Sequence, residues 1–430
     1  MKKMFAHDRC GLWPRCAILA GLAFASALAL ASGTEVELVS PAEDGIVQLV
    51  PDAQKRVMSL PTLAERINLL EADRAGSKEL RHDKFWRKAK PLVLEWRQPA
   101  GGRWSAKVEI GKKRDLSDAL AWYVRAGKTD AATGRKEADD KPDGGKMSYV
   151  VPRANLEIAS RYFWRVTLRG VCTRFDCGPR CSCKESKKVK RSAVASFRTE
   201  DFAPRWIELE GGVHNVRDIG GRRTQDGRRV KQGMAYRGQG LNHNSVTGEA
   251  KGRNRLTVED VEYLAGTLGI RTDLDLRGKA ELADLAASPL GEGIAFVHCS
   301  GCCYKEIFSQ KGKAQMAKGF RVFCKRENYP IYMHCIGGAD RTGALSYVLN
   351  GVLGVDRQGL DTDWESTFYP KIPDVNPDPN FWCRESHFND GFSKYGKDGD
   401  SWNRRIELYL LDCGVTRAEI EKFRSIMLED

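Results

Sequence analysis

Residues 330–350 read Pro-Ile-Tyr-Met-His-Cys-Ile-Gly-Gly-Ala-Asp-Arg-Thr-Gly-Ala-Leu-Ser-Tyr-Val-Leu-Asn, and they decide the fold of the half of the chain around them. Ile331, Tyr332 and Met333 form the short apolar run of a buried strand. Gly337, Gly338 and Gly343 punctuate a tight loop, and Ala344 to Leu349 begin an apolar helix. A strand that runs through such a loop into a helix gathers backbone N–H groups and a positive dipole end around one point, which makes an anion site. Cys335 opens the loop and Arg341 follows six residues later, so a closed loop brings both to its centre.

Those residue types imply a chemistry. A cysteine under a helix N-terminus beside an arginine is expected to sit as thiolate at neutral pH. Thiolate attack on phosphorus gives a phosphocysteine and divides one hydrolysis into two easier steps. Arg341 can grip two phosphate oxygens, while the backbone of Ile336, Gly337, Gly338, Ala339 and Arg341 holds transition-state charge. Asp340 is the nearest carboxyl in sequence to protonate the leaving oxygen. His334 is expected to order the loop and tune the thiolate. Thr342 can hydrogen-bond the sulfur and assist hydrolysis of the intermediate. No metal or other cofactor is called for. The plain alternative is a buried structural cysteine in an ordinary strand–helix turn.

His334-Cys335-(five residues)-Arg341-Thr342 resembles the His-Cys-x5-Arg-Ser/Thr signature of the protein tyrosine phosphatase superfamily. The fuller His-Cys-x-x-Gly-x-Asp-Arg-Thr-Gly resembles its bacterial tyrosine/lipid phosphatase branch, in which an Asp lies within the loop. Further upstream, Asn215-Val216-Arg217-Asp218-Ile219-Gly220-Gly221 and Tyr236-Arg237-Gly238 resemble the branch's Asn-x-Arg-Asp-x-Gly-Gly and Tyr-Arg-Ser motifs. Asp275-Leu276-Arg277 matches its Asp-Leu-Arg, and Asp363-Trp364-Glu365-Ser366 resembles its Asp-Tyr-x-x-Ser. The resemblance implies supporting roles for Arg217, Asp218, Arg237, Asp275 and Arg277. Asp275 is the alternative general acid, and His214 or Arg217 touching substrate directly is the alternative to a buttress. Two positions depart from the branch: Ala339 stands where Lys is common, which disfavours multiply phosphorylated substrates, and Gly238 stands where Ser is usual.

The resemblance implies, over residues 204–430, an α/β domain whose central, mostly parallel sheet is flanked by helices. Within it Thr257 and Asp260 mark a helix start, 269–277 and 294–298 read as strands, and 308–325, 404–411 and 416–428 read as helices. Residues 371–402, rich in Pro, Asp and aromatics, read as a lid or rim loop. Residues 34–203 read as an all-β sandwich with insertions, from the alternation in 92–96, 105–110 and 162–168 and the runs at 36–41 and 193–199. Ser40-Pro41, Leu94-Glu95-Trp96, Tyr162 to Val166 and Ser196 to Thr199 resemble a fibronectin type III domain. Residues 60–74 have helical spacing, and 127–147 read as an exposed loop. This segment shows no catalytic constellation and reads as a spacer or as a binding module for a protein or glycan.

Lys2, Lys3, Arg9 and Arg15 precede an apolar run from Ala17 to Leu30, and Ala29 and Ala31 are small residues suited to cleavage. Residues 1–31 therefore read as a signal peptide, too short for a membrane span, which sends the protein to the periplasm or beyond the cell. The chain carries 70 Lys and Arg against 57 Asp and Glu, a formal charge of +13. That balance steers anionic substrates, a phosphorylated protein or a small phosphomonoester. No nucleic-acid module accompanies it, and Lys184 to Arg191 read as a solvated loop. Of thirteen cysteines, Cys10 and Cys16 fall in the leader and Cys335 is reserved for chemistry. The even remainder suits disulfides in an oxidising compartment, with Cys172, Cys177, Cys181 and Cys183 in one loop. Cys302 or Cys303 is expected to pair with Cys324, Cys383 or Cys413, or reversibly with Cys335. The reading is thus an exported cysteine-dependent phosphomonoester phosphatase, foremost a protein tyrosine phosphatase. An inositol polyphosphate or phosphoinositide phosphatase, or a phosphate-recognising adhesion module with vestigial activity, remains open.

Overall fold

The computed structural model describes residues 36–76, 89–100, 102–124, 145–171, 187–241, 255–282, 285–367 and 386–430. The leader 1–31, Cys172 to Cys183, most of 127–147, Cys383 and residues 371–385 of the expected rim loop lie outside them.

The alternating runs of the first half become strands. In order they are β1 (Glu37–Ser40), β2 (Gly45–Val47), β3 (Leu92–Arg97), β4 (Trp104–Gly111), β5 (Leu120–Val124), β6 (Lys146–Val151), β7 (Arg161–Gly170), β8 (Val189–Arg191) and β9 (Ala195–Thr199). One sheet has the order β1-β3-β6. The other has the order β2-β9-β7-β4-β5, with β8 also on β7. Side chains from both sheets, including Leu94, Trp96, Val108, Ile110, Trp164, Val166 and Phe197, form one core. The period-2 alternation places those residues on inward faces.

Helices α1 (Asp52–Met58) and α2 (Leu63–Gly76) interrupt this segment but do not join its core. Val57, Met58, Leu63, Ile67 and Leu70 are buried in the core of the C-terminal half. Arg66 and Glu365, each 1% exposed, form a two-bond ion pair at 2.6 and 2.7 Å across 299 residues of sequence. The two halves of the chain therefore share one apolar interior at this point.

The C-terminal sheet comprises β10 (Arg205–Trp206), β11 (Arg217–Asp218), β12 (Ala235–Gln239), β13 (Thr272–Asp275), β14 (Ala295–His298) and β15 (Ile331–Cys335), in the order β10-β11-β12-β15-β13-β14. The sheet is mixed, with three of its five described pairings parallel and two antiparallel. The pairings β12–β15, β13–β15 and β13–β14 are parallel, whereas β10–β11 and β11–β12 are antiparallel. The reason is connectivity. Parallel neighbours need long crossovers, and β10 to β12 are joined without one.

The helices of this half are α3 (Val258–Val261), α4 (Lys279–Leu282), α5 (Gln310–Phe323), α6 (Asp340–Val352), α7 (Arg357–Ser366), α8 (Ser386–Phe392), α9 (Trp402–Asp412) and α10 (Arg417–Met427). The Thr257/Asp260 capping box forms as its spacing requires, and a π-helix over Glu262–Thr267 continues α3. Helix α6 is buried from Thr342 through Val352 and packs against α7 and α9. Its start is thereby fixed against the end of β15. No described helix is long and apolar enough to cross a membrane.

Among the described residues of this half, none of the expected disulfides is formed. Cys299, Cys302, Cys303, Cys324, Cys335 and Cys413 are all free. The thiols are satisfied elsewhere: Cys302 donates to Gln315 Oε1 at 2.6 Å, and Cys324 lies 3.5 Å from the Glu419 carbonyl.

Candidate active site

The loop between β15 and α6 is held from behind by buried arginines. Arg237, on β12, donates to the Gly338 and Ala339 carbonyls at 2.8 and 3.2 Å. Asn215, in a left-handed conformation at φ +60°, donates to the Gly337 carbonyl at 3.1 Å. Arg217 in turn holds the Asn215 side chain at 2.6 Å. These bonds occupy loop carbonyls on the outside of the turn. Among the described residues, no backbone carbonyl takes the N–H groups of Gly337 to Arg341. That division of outward carbonyls and unclaimed amides is what an anion cradle requires. Gly338 makes the turn possible. Its φ is +64°, and a Cβ there would lie 2.1 Å from the Gly238 carbonyl.

One carboxylate organises the buttress. Asp363, on α7, accepts from Arg237 at 2.6 Å, Arg217 at 2.9 Å and Arg222 at 3.3 Å. Ser346 on α6 adds a bond at 3.1 Å. Burial alone would raise the Asp363 pKa, but the three guanidiniums outweigh it and hold the carboxyl well below the usual range. Arg217 shows the reverse side of the same crowding. Burial and neighbouring Arg237 push it down to about 9, against the pull of Asp363. Arg217 is fully buried, so it buttresses the loop and does not reach substrate. Asp218 serves a different corner, accepting from the Gly220 and Gly233 amides and from Arg205.

Within the loop, Cys335 is 1% exposed at the end of β15 and Arg341 lies in the first turn of α6. Glu281, on α4, grips Arg341 through both carboxylate oxygens, with Nη2 to Oε1 at 2.9 Å and a second bond from Nη1 to Oε2. A guanidinium held end-on keeps its Nε–H and another Nη–H for phosphate oxygens. Burial works against the Arg341 charge, but Glu281 and Cys335 outweigh it and raise its pKa. Asp340 accepts a hydrogen bond from the Tyr304 hydroxyl.

His334 points away from the loop's mouth. Its Nε2 lies 2.8 Å from Asp273 Oδ1, and its Nδ1 lies 3.3 Å from the Cys335 carbonyl. Burial would lower its pKa, but Asp273 and Asp275 prevail and raise it. Asp275 is fully buried, with both oxygens engaged by Arg277 at 2.9 to 3.0 Å. It orders the sheet end, with both oxygens committed to Arg277. The Thr342 hydroxyl is buried and, among the described residues, has no hydrogen-bond partner, so its expected bond to the sulfur is not formed here. Ala339 is buried at the N-cap of α6 and brings no charge to the rim.

Sequence reasoning missed Glu281, Tyr304 and Asp273, and gave Asp363 no role beyond a motif match. Asp273 was within reach. Two residues from Asp275 on one strand, it must share that residue's face. Glu281 and Tyr304 act across loops whose paths no local pattern specifies.

Residues 207–370 match the model described as "Tyrosine phosphatase family". No curated protein matches the chain. Among solved structures it is similar to the core catalytic domain of the PP-IP phosphatase SIW14 from S. cerevisiae, solved with citrate. Identity is 18% over 32% of this chain and 73% of that one, with a TM-score of 0.23. With the family match falling on the residues that build the cradle, the chain is a phosphoric monoester hydrolase of the cysteine-dependent kind.

Proposed function

We propose that the protein is an exported protein tyrosine phosphatase working through a phosphocysteine on Cys335. The observation that carries the reading is the loop itself: a buried cysteine, unclaimed amides and an arginine pre-oriented by Glu281 converge at one helix start. Cys335 Sγ attacks phosphorus as the ester oxygen departs, and Asp340 supplies that oxygen's proton. Arg341 and the amides hold the equatorial oxygens in both steps. Water then displaces the sulfur, with Asp340 taking up the water's proton. A nucleophile sunk to 1% exposure favours a phosphate carried on the long tyrosine side chain. Ala339, lacking a charged side chain, favours one phosphate over several.

The leader at 1–31 supports export, and the two N-terminal sheets, fibronectin type III-like in their strand pattern, serve as a binding module or spacer for a protein or glycan. A second reading, an inositol polyphosphate or phosphoinositide substrate, draws on the formal charge of +13. Phosphate release from phosphotyrosine peptide, phosphoserine peptide, phosphoinositide and phytate separates the two. The proposal expects phosphotyrosine to lead and Cys335→Ser to abolish turnover. Preference for phytate or lipid would contradict the tyrosine assignment, and turnover by Cys335→Ser would contradict the nucleophile.

A further inference from the structure

The loop that follows β14 is drawn across the catalytic turn. Cys299 N–H donates to the Asp275 carbonyl at 2.9 Å, and Gly301 N–H to the Leu276 carbonyl at 3.0 Å. A Cβ at Gly301 would sit 3.2 Å from the Arg341 Cβ, so the loop passes in contact with the arginine that follows Asp340. Three residues on, Tyr304 adopts φ +51°. That backbone region is strained for an aromatic residue, and it persists where surrounding contacts over-determine it. Two contacts do so here. The Tyr304 ring meets Trp364 edge-on at 5.9 Å, and its hydroxyl donates to Asp340 Oδ1. The short 3-10 turn Tyr304–Phe308 then leads into α5.

The geometry points to Tyr304 as the positioning residue for the general acid, an inference that rests on the reading of Asp340 under the proposed function. Its hydroxyl holds one carboxyl oxygen, Oδ1, so the proton of the acid form rides on Oδ2 and faces the leaving oxygen. In the first step the S–P bond forms and the P–O ester bond breaks. The Oδ2 proton passes to the departing oxygen, and Tyr304 keeps its own proton throughout. Burial and the adjacent Asp340 push the Tyr304 hydroxyl's pKa far up, which keeps it a donor and excludes it as a base. Trp364 connects this arrangement to the rest of the site. The same indole packs so closely over Gly343 that a Cβ there would lie 2.6 Å from it.

Steady-state kinetics of the full chain test the inference with two substrates that differ in leaving group. Phenyl phosphate needs its leaving oxygen protonated, and p-nitrophenyl phosphate needs that far less. General acids contribute roughly 100- to 10,000-fold, so loss of aim should cost Tyr304→Phe about tenfold or more in kcat on phenyl phosphate. KM should stay within about twofold, and kcat on p-nitrophenyl phosphate within about threefold. In an Asp340→Asn background the same change should add no further loss, because residues acting as one unit are non-additive. The thermal midpoint of Tyr304→Phe, measured alongside, should stay within about 3 °C of the parent. Equal losses on both substrates, a rise in KM alone, or a full further loss in Asp340→Asn would each overturn the Tyr304 inference. If Asp340→Asn itself loses equally on both substrates, the acid is not Asp340, and the reading beneath the inference falls with it.

Discussion

Replacing Asp363 with Asn keeps the shape of the side chain and removes the one anion shared by Arg217, Arg222 and Arg237. Those guanidiniums are 0%, 6% and 0% exposed, so none can recover solvation without opening the core. Breaking a buried ion pair by deleting one partner costs about 3–5 kcal/mol. For a unit of this size each kcal/mol lowers the midpoint by roughly 2–4 °C, so Asp363→Asn should melt about 6–20 °C below the parent. Activity should fall further than stability explains. Arg237 joins Asp363 directly to the Gly338 and Ala339 carbonyls, and an ångström of displacement in a catalytic loop can cost about 100-fold. The pH dependence gives the sign. The Asp363 pKa is depressed in the folded state, so its stabilisation is present above the ordinary carboxylate pKa near 4 and is lost as pH falls below it. The gap between parent and Asp363→Asn in urea unfolding should therefore narrow as pH drops from about 6 to about 3. A midpoint within about 2 °C of the parent with full turnover would refute this account of the buttress.

Two further substitutions probe other joints. Arg66→Met strands the buried Glu365 carboxylate and should cost about 3–5 kcal/mol in urea unfolding, whereas Arg66→Met with Glu365→Leu should recover most of it; equal losses would deny that the pair ties α2 to α7. Glu281→Gln keeps a hydrogen-bond partner for Arg341 but loses the charge and the two-oxygen grip, so kcat/KM should fall about tenfold with little change in melting. An unchanged kcat/KM would mean that Arg341 finds its orientation without Glu281.

How much of this was legible in the sequence follows from the range of each interaction. The strand–loop–helix at 330–350 was readable because its signals are local: an apolar triplet, glycines at the turn and an apolar helix start. The capping box at Thr257 was readable for the same reason. Its π-helical continuation was not, because a one-residue slip in helical bonding leaves no compositional trace. The helical spacing of 60–74 was correct, but periodicity says that a face is apolar and not which core receives it; Ile67 and Leu70 enter the C-terminal core. Helix α1 was missed, and so were β2, β5 and β8, short or partly exposed strands with weak alternation, and β6, whose alternating Met147, Tyr149 and Val151 follow directly on the polar run read as a loop. The two-residue strands β10 and β11 fall below any pattern, so the antiparallel pairings at that edge were not legible. Counting cysteines gave an even number, yet pairing needs proximity. Cys302 and Cys324 spend their thiols on oxygens of other residues. Within the site, the motif supplied the nucleophile and arginine, while Glu281, Tyr304 and the threefold use of Asp363 arise from chain segments that meet only after folding.

The central claim is that Cys335 carries the phosphoryl group. Rapid mixing of the protein with a labelled aryl phosphate, acid quench and mass spectrometry of the peptide containing residues 331–343 tests it most directly. The account predicts a phosphorylated Cys335 that appears within the first turnover and is absent in Cys335→Ser. Turnover without any label on that peptide, or label on another residue, would contradict it.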